Sequence, residues 1–285
     1  MARVLDRARA VVGDQVLARL PNRLAGPIRS AARRRRRSLA VDRLRHEGLD
    51  VLDRIDPADE MFDPRDPGHY FWVGRSALDA VERGLAEVGV AEPARILDMP
   101  CGHGRVLRLL RARWPQAAFT ACDLNRPAVD FCVDAFGATG IYSADPVSGV
   151  AAPADFDLVW VGSLFTHLDA DRWPDLLRWL RDRVRAGGAV IFTTHGAEAA
   201  RRIEAGDEYG LGTQGAGRAL DGYRAGGFGY APYPWDPDYG VSLSGTDWVR
   251  SCIAGAPGLE LVSLRERAWA DHQDVVTLRR VVVEP

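Results

Sequence analysis

The 285-residue chain contains no lysine; all 37 of its basic side chains are arginine. Coding bias explains that better than a need for guanidinium at every position, so a lone arginine carries little information here. The sequence also lacks any uncharged apolar run of the roughly 18 residues needed to cross a bilayer. Its opening, "MARVLDRARAVVGD", interleaves Arg and Asp where a secretory signal would place its apolar segment, and a cytoplasmic location is the expectation. Cysteine is scarce, and Cys101, Cys122, Cys132 and Cys252 show neither CxxC nor Cys/His spacing. That argues against a structural zinc site and a disulfide framework; reduced thiols and no metal site are expected.

Aromatic residues are missing before Phe62, in the most basic part of the chain. Residues 1–50 hold thirteen Arg against five Asp/Glu, although the whole chain is formally −2. Within them, "AARRRRRSLAVDRLRHEGLDVL" reads as helical from the spacing of Leu39, Leu44, Leu49 and Leu52, with breaks upstream at Pro21 and Pro27. The run Arg33–Arg37 fits either a weak contact with a membrane or other polyanion or, preferably, a solvated helix face. Without aromatics to stack on bases, a nucleic-acid partner is not expected.

What is present beyond Tyr70 is a regular alternation. "GRSALDAVERGLAEVG" sets Leu78, Val81, Leu85 and Val88 three and four apart, as an amphipathic helix does. Short apolar strands follow at "ARILDM", "AAFTACDL", "TGIYSA", "FDLVWVGSLF" and "GAVIFTTHG", separated by helical stretches, one of which carries Trp173, Leu176, Leu177, Leu180 and Val184 and stops at Gly187. Such spacing predicts βαβ units around a parallel sheet covered on both faces. After Gly196 the rhythm fails for almost fifty residues dense in Gly, Pro and aromatics, which predicts an irregular but ordered lid at about 197–243. The closing pair "LELVSLRERA" and "DVVTLRRVVV" is joined by five residues, too few for a parallel return, so it must be antiparallel. A basic helical extension over 1–60 and one α/β domain over 61–285 are the expected division.

The stretch "ILDMPCGHGRVLRLL" places Asp98 at a strand end, then a turn with Gly102 and Gly104, then a helix. Ligands of open α/β sheets lie beyond such strand ends. A carboxylate there repels a pyrophosphate and suits a cation. At the end of the next strand, 25 residues on, Asp123 stands where a carboxylate can accept both hydroxyls of a ribose. Together they call for a nucleoside with positive charge near its reactive end.

"ILDMPCGHGR" with "ACDLN" resembles the class I methyltransferases that use S-adenosylmethionine, with Pro100 in place of the family's first glycine. The resemblance runs from about Tyr70 to Arg280. It implies a Rossmann-like α/β fold: a seven-stranded, mostly parallel sheet with an antiparallel last strand, helices on both faces, an N-terminal helical extension and a lid insertion after strand 5. By position it implies that Asp98 and the Pro100, Gly102 and Gly104 turn hold the methionine portion of S-adenosylmethionine, and Asp123 the ribose. Leu124, Asn125, Ser143 and Asp145 would border the adenine. Gly162 and Ser163 would face the methionine amine, with Tyr70, Gly74 and Arg75 closing over its carboxylate. S-adenosylhomocysteine would be the product.

Methyl transfer to a hydroxyl also needs a base. The loops after the fourth and fifth strands and before the last strand all reach one sheet edge, which brings forward His167, His195 and His272, the latter two ranked higher. The aromatic 205–240 segment suits a small-molecule, sugar or glycan acceptor on which flat rings can pack. Two other readings stand beside this one: a nicotinamide-dinucleotide oxidoreductase, which would need a third glycine that the turn lacks, and a protein that binds S-adenosylmethionine without transferring its methyl.

Overall fold

The computed structural model describes residues 22–282. Helix α1 (Asn22–His46) continues through Pro27, correcting the break expected there. A proline in the second turn forfeits one intrahelical hydrogen bond, and the remaining turns carry the helix on. Pro21, the rest of residues 1–21 and the Arg33 side chain lie outside the described residues. Val41 and Leu44 of α1, with Leu49 and Val51 beyond it, are buried in the same core as the domain that follows, whereas Leu39 and Leu52 are exposed. Part of the arginine run is used locally, since Arg36 donates to the Arg65 carbonyl and Arg37 lies 4.0 Å from the Asp53 carboxylate.

Helix α2 (Pro67–Val88) starts where Asp66 accepts the His69 amide and Pro67 fills the first position. It stops at Gly89, which takes a left-handed φ of 88°. The units β1 (Arg95–Asp98), α3 (Leu107–Arg113), β2 (Ala118–Asp123), α4 (Arg126–Phe136) and β3 (Thr139–Tyr142) follow. The fourth helix is capped by Asn125, whose side chain accepts the Ala128 amide, and ends at left-handed Gly137. After β4 (Phe156–Val161), helix α5 (Trp173–Arg183) gives way directly to β5 (Val184–Thr194). The fifth strand therefore starts earlier than the Gly187 stop predicted, because Val184 already pairs with Phe156.

Strand order is β3-β2-β1-β4-β5-β9-β8, with β8 (Leu259–Trp269) and β9 (Gln273–Arg280) forming the expected antiparallel pair. The first five strands are mutually parallel, and β9 runs against both β5 and β8. Because successive strand residues face opposite sides, Ile96 joins the core under α2, α3 and α4 while Leu97 joins that under α5. The order reverses between β1 and β4, so a crevice opens beyond Asp98 and its neighbours.

The stretch expected to be an irregular lid is instead a packed unit: α6 (Ala197–Glu204), α7 (Gly212–Gly226) and the hairpin β6 (Phe228–Tyr233) and β7 (Asp236–Ser244). It has its own apolar cluster, built on Ala199, Ile203, Leu211, Ala219, Leu220, Val241 and Leu243. Helix α8 (Thr246–Ala254) then leads to the terminal hairpin. Among the described residues, no helix is long and apolar enough to cross a membrane.

Candidate functional site

A cavity of about 510 Å³ opens at the switch point, within the range of small-molecule sites. Pro100, Asp123, Leu124, Asn125, Ser143 and Asp145 line it, together with Met99, Leu164 and Tyr239. Asp123 organises its rim: one carboxylate oxygen accepts the Gly102 amide at 2.8 Å and the other the Asn125 amide at 2.8 Å. Glycine is required twice in the adjoining turn for different reasons. Gly102 has φ 47° and open space where a Cβ would stand, whereas Gly104 has φ 74° and a Cβ there would lie 2.4 Å from the Phe136 ring. The first leaves room for a ligand and the second lets the turn close on α4.

Asp98 is fully buried behind this turn, and one of its carboxylate oxygens has no partner. Burial, reinforced by Asp123, pushes its carboxyl well above the usual range. A cationic ligand beside it would oppose that shift and favour the carboxylate. Ser163, with φ 60°, sits at the end of β4 in a closed ring of hydrogen bonds: its amide donates to Thr193 Oγ1, Thr193 to Gln273, and Gln273 to Ser163 Oγ. It does not line the cavity.

Tyr70 and Gly74 pack against the glycine turn from behind, whereas Arg75 points to other partners. The Tyr70 hydroxyl donates to Asp59 at 2.7 Å and receives Arg108, all in the core. Gly74 is a packing contact, where a Cβ would meet the Arg105 carbonyl oxygen at 2.7 Å. Arg75 is paired on the surface with Glu47 and Asp79.

Arg105 immediately follows Gly104, has a pKa lowered by burial against the opposing influence of Tyr70, Asp59 and Asp98, lies over the Trp269 ring at 5.8 Å, and has no hydrogen-bond or ion-pair partner among the described residues. Beside it, fully buried Arg108 donates to the carbonyls of Leu52, Arg54, His103 and Gly104, fixing the turn against the N-terminal segment. Neither residue was legible in a chain where every base is arginine.

The three histidines divide. His167 places Nδ1 2.7 Å from the Gly240 carbonyl oxygen and stacks on Tyr239 at 4.7 Å, so it anchors the hairpin to the cavity wall. His195, just beyond β5, is 4% exposed and its ring centroid lies 5.1 Å from that of His272. Burial, then the neighbouring His272 and His167, hold the His195 imidazole well below its usual value. It bonds the Ser242 backbone, while Nδ1 is buried without a partner. Its ring is therefore neutral, with a lone pair free on Nδ1.

Residues 96–188 match the family profile described as a methyltransferase domain. Malonyl-[acyl-carrier protein] O-methyltransferase of Pseudescherichia vulneris is 36% identical over 113 residues, covering 39% of this chain and 42% of that protein. Trans-aconitate 2-methyltransferase of Rhodopseudomonas palustris is 31% identical over 109 residues, 37% of this chain and 40% of that protein. The chain thus spans about two-fifths of the length of these curated relatives. Among solved structures, the 1,6-didemethyltoxoflavin-N1-methyltransferase of Burkholderia thailandensis, with 1,6-didemethyltoxoflavin and S-adenosylhomocysteine bound, superposes with a TM-score of 0.50 at 17% identity, covering 73% of this chain and 79% of that one. Sheet order, the acid and glycine turn and these matches agree: residues 96–188 resemble a methyltransferase domain, and the chain has the fold of the class I S-adenosylmethionine-dependent methyltransferases.

Proposed function

We propose that this chain transfers the methyl group of S-adenosylmethionine to a hydroxyl of a small-molecule, sugar or glycan acceptor. When bound, S-adenosylmethionine supplies a methyl on a positively charged sulfur, already activated for in-line displacement. The observation that carries the reading is the pair of carboxylates around an open glycine turn: Asp98, buried with an unpartnered oxygen, and Asp123 on the cavity rim. Asp123 would take the ribose hydroxyls, Leu124, Asn125, Ser143 and Asp145 would border the adenine, and Asp98 with Gly102 would receive the cationic amino-acid portion.

Arg105 would hold the methionine carboxylate in place of Arg75. Arg105→Gln should weaken S-adenosylhomocysteine about tenfold or more in calorimetry, the scale of a lost charge-assisted hydrogen bond. Binding of 5′-methylthioadenosine, which has no carboxylate, should be unchanged. Equal losses for both ligands would count against the assignment.

For the acceptor, His195 is the base this reading selects. As oxygen bonds to the methyl carbon and the carbon–sulfur bond breaks, the hydroxyl proton passes to Nδ1, leaving a methyl ether, S-adenosylhomocysteine and an imidazolium. A carboxylate acceptor would need no base and would look for a cation, yet Arg202, which acts on both His195 and His272, is tied to Glu198. His195→Gln should lower S-adenosylhomocysteine release with hydroxylated acceptors by about 10²–10⁴-fold, the usual contribution of a positioned base. Cofactor affinity should stay put; an undiminished rate would remove His195 from the mechanism.

A further inference from the structure

Five non-glycine residues among those described adopt a left-handed φ: Ser163, Tyr209, Arg267, Ala270 and Asp271. Ser163 ends β4, Tyr209 lies between α6 and α7, and the other three are in or beside the turn from β8 to β9. Such conformations are costly for residues with a side chain and concentrate where function requires them. Two of these segments meet. Tyr209 Oη and His272 Nε2 are 2.6 Å apart, with their rings stacked at 5.7 Å and 26°. The same Tyr209 ring stands edge-on to His195 at 5.2 Å.

Around His195 the interior is polar and incompletely bonded. His195 Nδ1, Thr194 Oγ1 and Ser244 Oγ are all buried without partners, and Ser244 is tied to this spot by its amide, which donates to the His195 carbonyl. All three residues are at most 4% exposed. Buried polar groups are nearly always satisfied, so the open Nδ1 of His195, beside the Tyr209 and His272 rings, points to a polar ligand that completes it. An imidazole lone pair suits the hydroxyl of a neutral molecule.

We propose that Tyr209 is a positioning residue of the acceptor site: its phenol fixes the His272 imidazole, and the Tyr209–His272 pair walls the space in which an acceptor hydroxyl meets His195 Nδ1. The proposal rests on the methyl-transfer reading and adds to it the α6–α7 connection of the insertion. Burial pushes the Tyr209 phenol up to about 12, so it keeps its proton at neutral pH and donates it to Nε2. His272, lowered chiefly by burial and then by Arg202, remains an acceptor for that proton. The pair thus presents a fixed, neutral surface opposite the base.

The test uses the full chain labelled with ¹⁵N-histidine. Ring spectra should show His272 with its proton on Nδ1 and Nε2 accepting; Tyr209→Phe, which keeps the ring and deletes the hydroxyl, should shift those signals and leave thermal stability nearly unchanged. With S-adenosylhomocysteine present, phenol, catechol and methyl α-glucoside are then titrated separately. At least one should perturb the His195 ring in the wild type, about tenfold more weakly in Tyr209→Phe. Unchanged His272 signals in the variant, equal perturbation in both proteins, or none in the wild type would overturn the proposal. Calorimetry with S-adenosylhomocysteine separates this failure from that of the methyl-transfer reading, which falls if the wild type does not bind it.

Discussion

Replacing Asp123 with alanine should weaken S-adenosylhomocysteine by about a hundredfold or more. Hydrogen bonds to a charged group contribute about 1.5–3 kcal/mol each, and a ribose brings two hydroxyls to this carboxylate. One such bond corresponds to about tenfold and two to at least a hundredfold. The carboxylate also shapes the site before any ligand arrives, since it accepts the Gly102 amide from the glycine turn and the Asn125 amide from the start of α4. Alanine leaves both amides to water and lets the turn drift from the geometry the ligand needs. Asp123→Asn is the sharper comparison, because it keeps one acceptor oxygen but turns an NH₂ toward a backbone donor; its loss should be smaller than that of alanine and still clear. Calorimetry measures the affinities, and thermal denaturation without ligand checks that the domain persists. If both variants bind as the wild type does, the ribose assignment is wrong.

The legible parts of the site are those whose cause is local. Asp98, Asp123, Gly102 and Gly104 stand out because a strand, a turn and a helix start occupy consecutive residues, and Asn125, Pro127 and Gly137 mark the next helix in the same way. Arg75 was misplaced because its partner Glu47 is 28 residues away and no periodicity announces that ion pair. Arg105, proposed above to hold the methionine carboxylate, did not stand out because each arginine is discounted in a chain without lysine.

The insertion misled for a subtler reason. Its glycines look like the signature of an irregular loop, yet several are there to permit close packing. A Cβ on Gly229 would lie 1.7 Å from the Ala219 carbonyl oxygen, and one on Gly222 would lie 2.9 Å from Gly229 Cα. Helix α7 and strand β6 can touch only because neither carries a side chain at the crossing. Composition alone cannot distinguish glycine used for freedom from glycine used for contact. Tyr209 was hidden with them, since its role depends on a turn held between two helices that were not foreseen.

Gly196 is another contact glycine, and its replacement by alanine should be the most damaging small change near the acceptor side. A Cβ there would lie 1.9 Å from an Asp274 carboxylate oxygen and 2.7 Å from its carbon. Asp274 cannot simply turn away, because it is 3% exposed, sits on β9 opposite Thr194, and accepts the Arg267 amide at 2.9 Å. Overpacking of this kind costs about 1–3 kcal/mol, and here the strain falls on the residue next to His195, so turnover should drop with stability. Denaturant unfolding should show the loss in Gly196→Ala, and adding Asp274→Ala, which removes the obstructing carboxylate, should recover part of it; a single variant as stable as the wild type would refute the clash. The same carboxyl gives a pH signature. Burial raises Asp274 from 3.8 to about 6, so the folded chain holds that proton more tightly than the unfolded chain does. Its contribution therefore declines as pH rises from about 4 to 6, by about 3 kcal/mol, and is constant above that. The difference between wild type and Asp274→Asn in unfolding free energy should trace that decline. A flat difference would mean that Asp274 is ionised in the folded state at pH 5, and that a charge, rather than a neutral acid, stands behind Gly196.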